Sequence, residues 1–544
     1  MRRMTPTPVP SPISRESVDA LLARVATGDG PGGVVGALHR GRLIVRRAFG
    51  LSNLEQGIAV QWNSRLPIGS ITKQFTAALV LDLVERRLLS LDDPVGRWLP
   101  QLAPPVQAPT LLQLLNHTGG MRCHLDQWMF DGYRTMPPGD PWHRLRRQQL
   151  LNFEPGTASS YSNGGYVLLS LAAERAASMP FARLLTRNLL GPLGLHATEL
   201  PASRAASEHD VARTYRQHAE GWTSPPDMTD DRYGDGGMVS SAGDLLRWAV
   251  HLERAVAGRR LLDRFVPRVN AGEPSRYGFG LISQRWRDRW VVQHAGGLPG
   301  ANSVLMMLPD EELHIVVLLN RPGPAVDLGY GLAERLLGDA LAPPLPRPEA
   351  CRHAGLLGVY RCEETGWVFG FEDDGGSLAL GLFGDRSFPL DGLRPADDRV
   401  LPFVADIGTG DTWFRVRARD SAGQVAELDY FDGVAWHRAL RFARQPVDLR
   451  QLAGELAGVF CSGEAGATMR FELRADGLAV QVRGEHGAGL YEAEVWTPDL
   501  VRFWPPRFPV SKMVRIERQD GRVTAVVVST GRTRALRFDR DTAA

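Results

Sequence analysis

A serine hydroxyl attacks a carbonyl only when a neighbouring base takes its proton. Lysine can be that base, because burial or a nearby cation strips its proton, whereas arginine keeps its own. The chain holds 63 Lys and Arg residues, and only two of them are lysines, Lys73 and Lys512. Lys73 follows Ser70 in the stretch Gly69-Ser70-Ile71-Thr72-Lys73. Residues at i and i+3 share one face of a helix. If Ser70 opens a helix, the pair reads as nucleophile and base. The plain alternative is a helix-capping serine followed by a solvated lysine.

Such a pair needs a second proton carrier, donors for an oxyanion and a strand on which to lay the substrate. Tyr161-Ser162-Asn163, within FEPGTASSYSNGGY, offers a tyrosine to pass a proton and an asparagine to hold a substrate amide. His294-Ala295-Gly296-Gly297 follows a β-rich run, and its glycines let a substrate backbone come close. Taken singly, these are a polar turn before a helix and a glycine-rich strand end. In the order SxxK, YxN, HxG they form one pattern.

The elements around them follow from periodicity. Residues 14–27 have Val18, Leu21, Leu22 and Val25 on one helical face. Two β-rich runs flank Arg40-Gly41 as a hairpin. Residues 70–87 place Phe75, Leu79, Leu83 and Val84 at helical spacing. RWVVQHAGG and NSVLMMLPDEELHIVVLLN read as three further antiparallel strands, and PAVDLGYGLAERLLGDAL as a closing helix. The layout is α+β, an antiparallel sheet with helices available to cover it.

Residues 341–350, LAPPLPRPEA, form a proline-rich boundary. Beyond it short strands and Gly/Asp turns dominate. Gly355–Cys362 resembles Gly454–Cys461, and ALRF recurs at Ala439–Phe442 and Ala535–Phe538. Two β-rich repeats of about a hundred residues suggest two small barrels or sandwiches. The expected domains are therefore 1–343, 349–445 and 446–544.

Composition sets aside several partners. The net charge is +2 with 23% charged residues, so neither a nucleic-acid groove nor a polybasic membrane patch is expected. No apolar run approaches a membrane span and no secretory h-region opens the chain, which points to the cytoplasm. Cys123, Cys351, Cys362 and Cys461 are scattered and read as reduced thiols rather than metal ligands. No GxSxG elbow is present, which disfavours an α/β-hydrolase.

The three motifs in order resemble the penicillin-recognising serine hydrolases, a group that includes class C β-lactamases, D-Ala-D-Ala carboxypeptidases and related esterases. His294-Ala295-Gly296 stands where many members carry KTG, a mark of the D-aminopeptidase branch and of some esterases. GPGGVVGAL, LPIGSITKQFT, NFEPG, YSNGGY, YGFGL and HAGGLPG look like landmarks of that branch, and LLNHTGGM is a phrase of the wider group. The resemblance implies a class C β-lactamase-like catalytic domain followed by two eight-stranded antiparallel barrels. It implies Ser70 as the acylated nucleophile, Lys73 as the base and Tyr161 as the proton relay to the leaving amine. Asn163 would orient the substrate amide, and His294, Gly296 and Gly297 would line the strand edge. The backbone N–H groups of Ser70 and Gly297 would form the oxyanion hole. Neither metal nor organic cofactor is required. The implied partner is a small peptide, amide or ester carrying a D-residue, and the implied assembly a homodimer. An esterase, β-lactamase-like or carboxypeptidase-like specificity is the alternative within the group. A catalytically dead sensor is disfavoured by the presence of Ser, Lys and Tyr.

One stretch departs from the branch. Its members place a loop of the last barrel, with an acidic residue, in the cleft. The matching segment here, FWPPRFPVSKM, has no acid and carries Arg507 and Lys512. If it enters the cleft, those cations favour acylated or acidic substrates. Otherwise Lys512 begins a strand and faces solvent.

Overall fold

The computed structural model describes residues 15–542 apart from 24, 27, 204–210, 226–231, 257–258, 261, 271, 383–385, 393–398, 407–410 and 505–511. The chain forms two compact units. One comprises Met1–Asp93 with Tyr166–Pro344, the other Pro94–Gly165 with Leu345–Ala544.

The first unit is built on a seven-stranded antiparallel sheet. Its strands are β1 (Gly33–His39), β2 (Arg42–Phe49), β3 (Arg276–Gly278), β4 (Leu281–Trp286), β5 (Arg289–Leu298), β6 (Ala301–Leu308) and β7 (Leu313–Leu319), in the order β3-β4-β5-β6-β7-β1-β2. The hairpin at Arg40-Gly41 is present, with both residues at positive φ. Segments far apart in the sequence meet in this sheet, since β1 pairs with β7 from Gly33↔Leu319 to His39↔Leu313. The strand β7 is buried along its whole length, as expected where both sheet faces are covered. Helices α1 (Arg15–Leu22) and α2 (Ala325–Leu337) lie on one face, packing Val18, Leu22, Leu332 and Leu336 against Val35, Ile315 and Val317. The N-terminal helix is shorter than the 14–27 read from periodicity.

The second unit contains two β-sheets that are barrel-like. Nine antiparallel strands from Gly358–Arg361 to Trp436–Phe442 make a nearly closed sheet, and eight from Phe460–Ser462 to Leu536–Arg540 close into a barrel. The repeat seen in the sequence is structural. The strand of each first motif pairs with that of its ALRF partner, Val359↔Phe442 in one sheet and Phe460↔Arg540 in the other. Gly358 and Gly458 hold φ of 130° and 113° at matching positions, and Tyr360 and Phe460 are fully buried behind them. The architecture is α+β, an antiparallel sheet covered by helices and, in the C-terminal region, two barrel-like sheets. Among the described residues no helix is long and apolar enough to cross a membrane.

Candidate active site

In the first unit, Ser70 lies in a single 3-10 turn, Gly69–Ile71, that leads into the helix Thr72–Glu85. Gly69 has a φ of +53°, a left-handed turn suited to glycine. That turn delivers Ser70 onto the helix one turn before Lys73. Lys73 Nζ lies 3.1 Å from Ser70 Oγ and donates to the backbone carbonyl of Asp235 at 2.5 Å. Lys73 has 0% exposure, and its ammonium nitrogen stands 5.4 Å from the centre of the Tyr166 ring. Ser70 is half-buried.

The nucleophile turn is pressed onto β5. A Cβ on Gly296 would lie 2.0 Å from the Ile68 carbonyl oxygen, and one on Gly69 would lie 2.9 Å from the Gly297 nitrogen. Ser303 Oγ on β6 also donates to the Ile68 carbonyl at 2.9 Å. Side chains are therefore excluded at Gly296 and Gly69, where the two backbones meet, whereas a Cβ on Gly297 would meet only Asn302 Nδ2 at 3.7 Å. The ladder between β4 and β5 ends at Ile282↔Gln293, so His294–Leu298 pairs only with β6 and leaves one strand edge beside the serine.

His294 is buried on that strand. Its Nδ1 is 2.6 Å from the Ala295 carbonyl, an acceptor, so Nδ1 carries the ring proton. Its Nε2 then accepts from the Tyr277 hydroxyl at 3.2 Å. Burial holds the imidazole pKa down to about 3, with the Lys73 charge adding to the effect and the Ala295 carbonyl opposing it. His294 is thus neutral at physiological pH.

The second unit collects Tyr161, Asn163 and Lys512. Asn163 opens the helix Asn163–Ala177, and its Nδ2 is 3.6 Å from Cys123 Sγ. His117 orders the YSN run. Its ring packs 4.3 Å from the Tyr161 ring, its Nδ1 accepts from Ser162 N, and its carbonyl accepts from Ser160 N. Asp432, on a hairpin of the nearly closed sheet, accepts from Ser159 N at 3.0 Å and pairs with His437 Nε2 at 2.7 Å.

Asp126 sits in a buried polar cluster. It accepts from Arg532 Nε at 3.0 Å and from the Thr530 hydroxyl. Burial works against its charge, but Arg532, Lys512 and these hydrogen bonds outweigh it and hold its carboxyl below the usual range. Burial likewise opposes the Arg532 cation, and Asp126, Cys123 and Tyr161 together hold its pKa above the ordinary value. Lys512 is only 4% exposed, and its charge helps to hold the Asp126 carboxyl down. It does begin a strand, Lys512–Gln519, but it does not face solvent as a lysine at a strand end was free to do. Arg507 lies outside the described residues.

The structure brings Ser70, Lys73, His294, Gly296 and Gly297 together in one unit, and Tyr161, Asn163 and Lys512 together in the other. Sequence reasoning passed over Asp235, His117, Asp126 and Arg532. For Asp235 a signal existed: an acid between glycines in RYGDGG. The others are joined to the motifs only by long-range contacts.

Comparison with known proteins agrees with this geometry. The family model described as Beta-lactamase matches residues 18–340. The D-aminopeptidase of Cereibacter sphaeroides is 27% identical over 526 residues, covering 94% of this chain and 96% of the relative. That of Brucella melitensis is 26% identical over 531 residues, with the same coverage of 94% and 96%. An octameric penicillin-binding protein homologue from Pyrococcus abyssi shares the fold, with a TM-score of 0.53 and 22% identity over 78% of this chain and 98% of its own. With more than half of its length matched by that family model, the chain belongs to the β-lactamase family.

Proposed function

We propose that the protein is a D-aminopeptidase-like serine hydrolase that releases N-terminal D-amino acids from peptides, amides or esters through an acyl-enzyme on Ser70. The observation that carries this reading is Lys73 Nζ, fully buried, at 3.1 Å from Ser70 Oγ. Lys73 takes the hydroxyl proton as Oγ bonds to the substrate carbonyl carbon. The carbonyl electron pair moves to oxygen, where the N–H groups of Ser70 and Gly297 receive it. Collapse breaks the bond to the leaving amine, which takes its proton through Tyr161. Water then attacks the acyl ester, and the same groups return the proton to Ser70. Asn163 holds the substrate amide, and the strand edge from His294 onward accepts the extended substrate as an added strand.

The relatives named D-aminopeptidase, matched nearly end to end, support the substrate class. So does the neutral His294, since an uncharged strand edge offers no cation for a substrate's C-terminal carboxylate. Lys512 is buried and its charge acts on Asp126. A three-domain organisation, a homodimer and a cytoplasmic home belong to the same proposal; four unpaired thiols suit a reducing compartment. A fluorescent penicillin or phosphonate should label the protein and leave Ser70→Ala unlabelled. D-alanyl p-nitroanilide should be turned over faster than its L-isomer. Equal labelling of wild type and Ser70→Ala would exclude the acyl-enzyme, and preferred turnover of a short p-nitrophenyl ester would favour an esterase.

A further inference from the structure

Residues 503–513 contain no acid for a substrate amine. An acidic residue, Asp235, stands instead next to Lys73, and a Cβ on its neighbour Gly236 would lie 3.8 Å from the Gly69 carbonyl carbon. Asp235 occupies a turn fixed on the helix that carries Lys73 and on the helix Asn163–Ala177. The Gly234 carbonyl accepts from Thr76 Oγ1 at 2.6 Å, Gly234 N donates to Ser170 Oγ at 2.9 Å, and Met238 N donates to Thr72 Oγ1 at 3.2 Å. Gly234 is packed so closely that a Cβ there would lie 2.3 Å from Thr76 Oγ1. Held this way, the Asp235 main chain takes the hydrogen bond from Lys73. The residue stays half-buried, and its carboxyl feels the charges of Lys73 and Arg232. Burial raises the carboxyl above its ordinary pKa and the two cations pull it back. His294, whose pKa burial and the Lys73 charge both lower, carries no charge.

The geometry of an aminopeptidase substrate matches this placement. Its α-nitrogen is two bonds from the scissile carbon, so whatever recognises the ammonium must stand next to the attacking oxygen. We propose that the Asp235 carboxylate is the subsite for the substrate's free α-ammonium, which makes it a specificity-determining residue of the reaction assigned above. This inference rests on that assignment. N-acylated substrates, which carry no such cation, gain nothing from Asp235.

The test compares D-alanine p-nitroanilide with N-acetyl-D-alanine p-nitroanilide in wild type, Asp235→Asn and Asp235→Ala, with fluorescent penicillin labelling of Ser70 as a check on the nucleophile. Loss of a charged hydrogen bond predicts a fall in kcat/KM of about 10- to 100-fold for the free amine, carried mainly by KM. Turnover of the N-acetyl substrate and the labelling should stay near wild type. An equal fall on both substrates overturns the proposal and leaves Asp235 as a positioning residue for Lys73; so does undiminished turnover of the free amine by both variants. If wild type labels at Ser70 but cleaves neither anilide, the D-aminopeptidase reading fails and the subsite with it.

Discussion

Lys73 Nζ and Ser70 Oγ are 3.1 Å apart, and the lysine has no exposed surface. An arginine at position 73 would keep the charge but could not act as a base, because its pKa is far above any working pH. Lys73→Arg should therefore lower kcat/KM by about 100-fold or more. Steady-state turnover of a D-amino-acid anilide measures it. Retention of most activity would remove Lys73 from the base role.

His294 makes stability depend on acid. The unfolded chain protonates this imidazole near its ordinary value of 6.5, the folded chain only near 3. Between these values the unfolded state binds more protons, so stability falls as pH drops from 6.5 toward 3 and is unaffected above that window. The full loss amounts to roughly 5 kcal/mol. Urea midpoints measured from pH 8 to 4 should fall more steeply for wild type than for His294→Asn. Parallel curves would mean that burial does not keep this ring neutral.

Gly296→Ala places a methyl 2.0 Å from the Ile68 carbonyl oxygen, backbone against backbone. The strand must move off the nucleophile turn. A misplacement of about 1 Å at a reacting centre costs on the order of 100-fold in rate. Overpacking of this kind also costs about 1–3 kcal/mol. Penicillin labelling rates and thermal melts should both drop, and labelling at the wild-type rate would show that the turn is not set by this contact.

Asp432→Ala removes the acceptor for Ser159 N, two residues before Tyr161. It also frees His437, which Asp432 and Glu364 hold above its ordinary pKa against the effect of burial. Turnover should fall about 10-fold while Ser70 labelling persists, and stability should fall by about 1–2 kcal/mol. Asp432→Asn, which keeps an acceptor for Ser159, should retain most of the turnover. If alanine and asparagine behave alike, the hairpin does not order the YSN run.

The sequence by itself determined what is local. One helical turn sets the Ser70–Lys73 distance, so their spacing of three was enough to pair them. The strand pair at Arg40-Gly41, the strands around His294 and the helix Ala325–Leu337 were legible from their periods of 2 and 3.6. The repeat ending in ALRF was legible too, because equivalent strands keep equivalent residues. What only the tertiary structure decided joins residues far apart. Asp235 meets Lys73 across 162 positions, Asp432 meets Ser159 across 273, and Arg532 meets Asp126 across 406. No local period records such contacts, since each depends on how whole elements pack. Lys512 shows the same limit. Its position at the start of a strand leaves open whether it meets water or a carboxylate, and burial beside Asp126 is a choice made by the folded barrel.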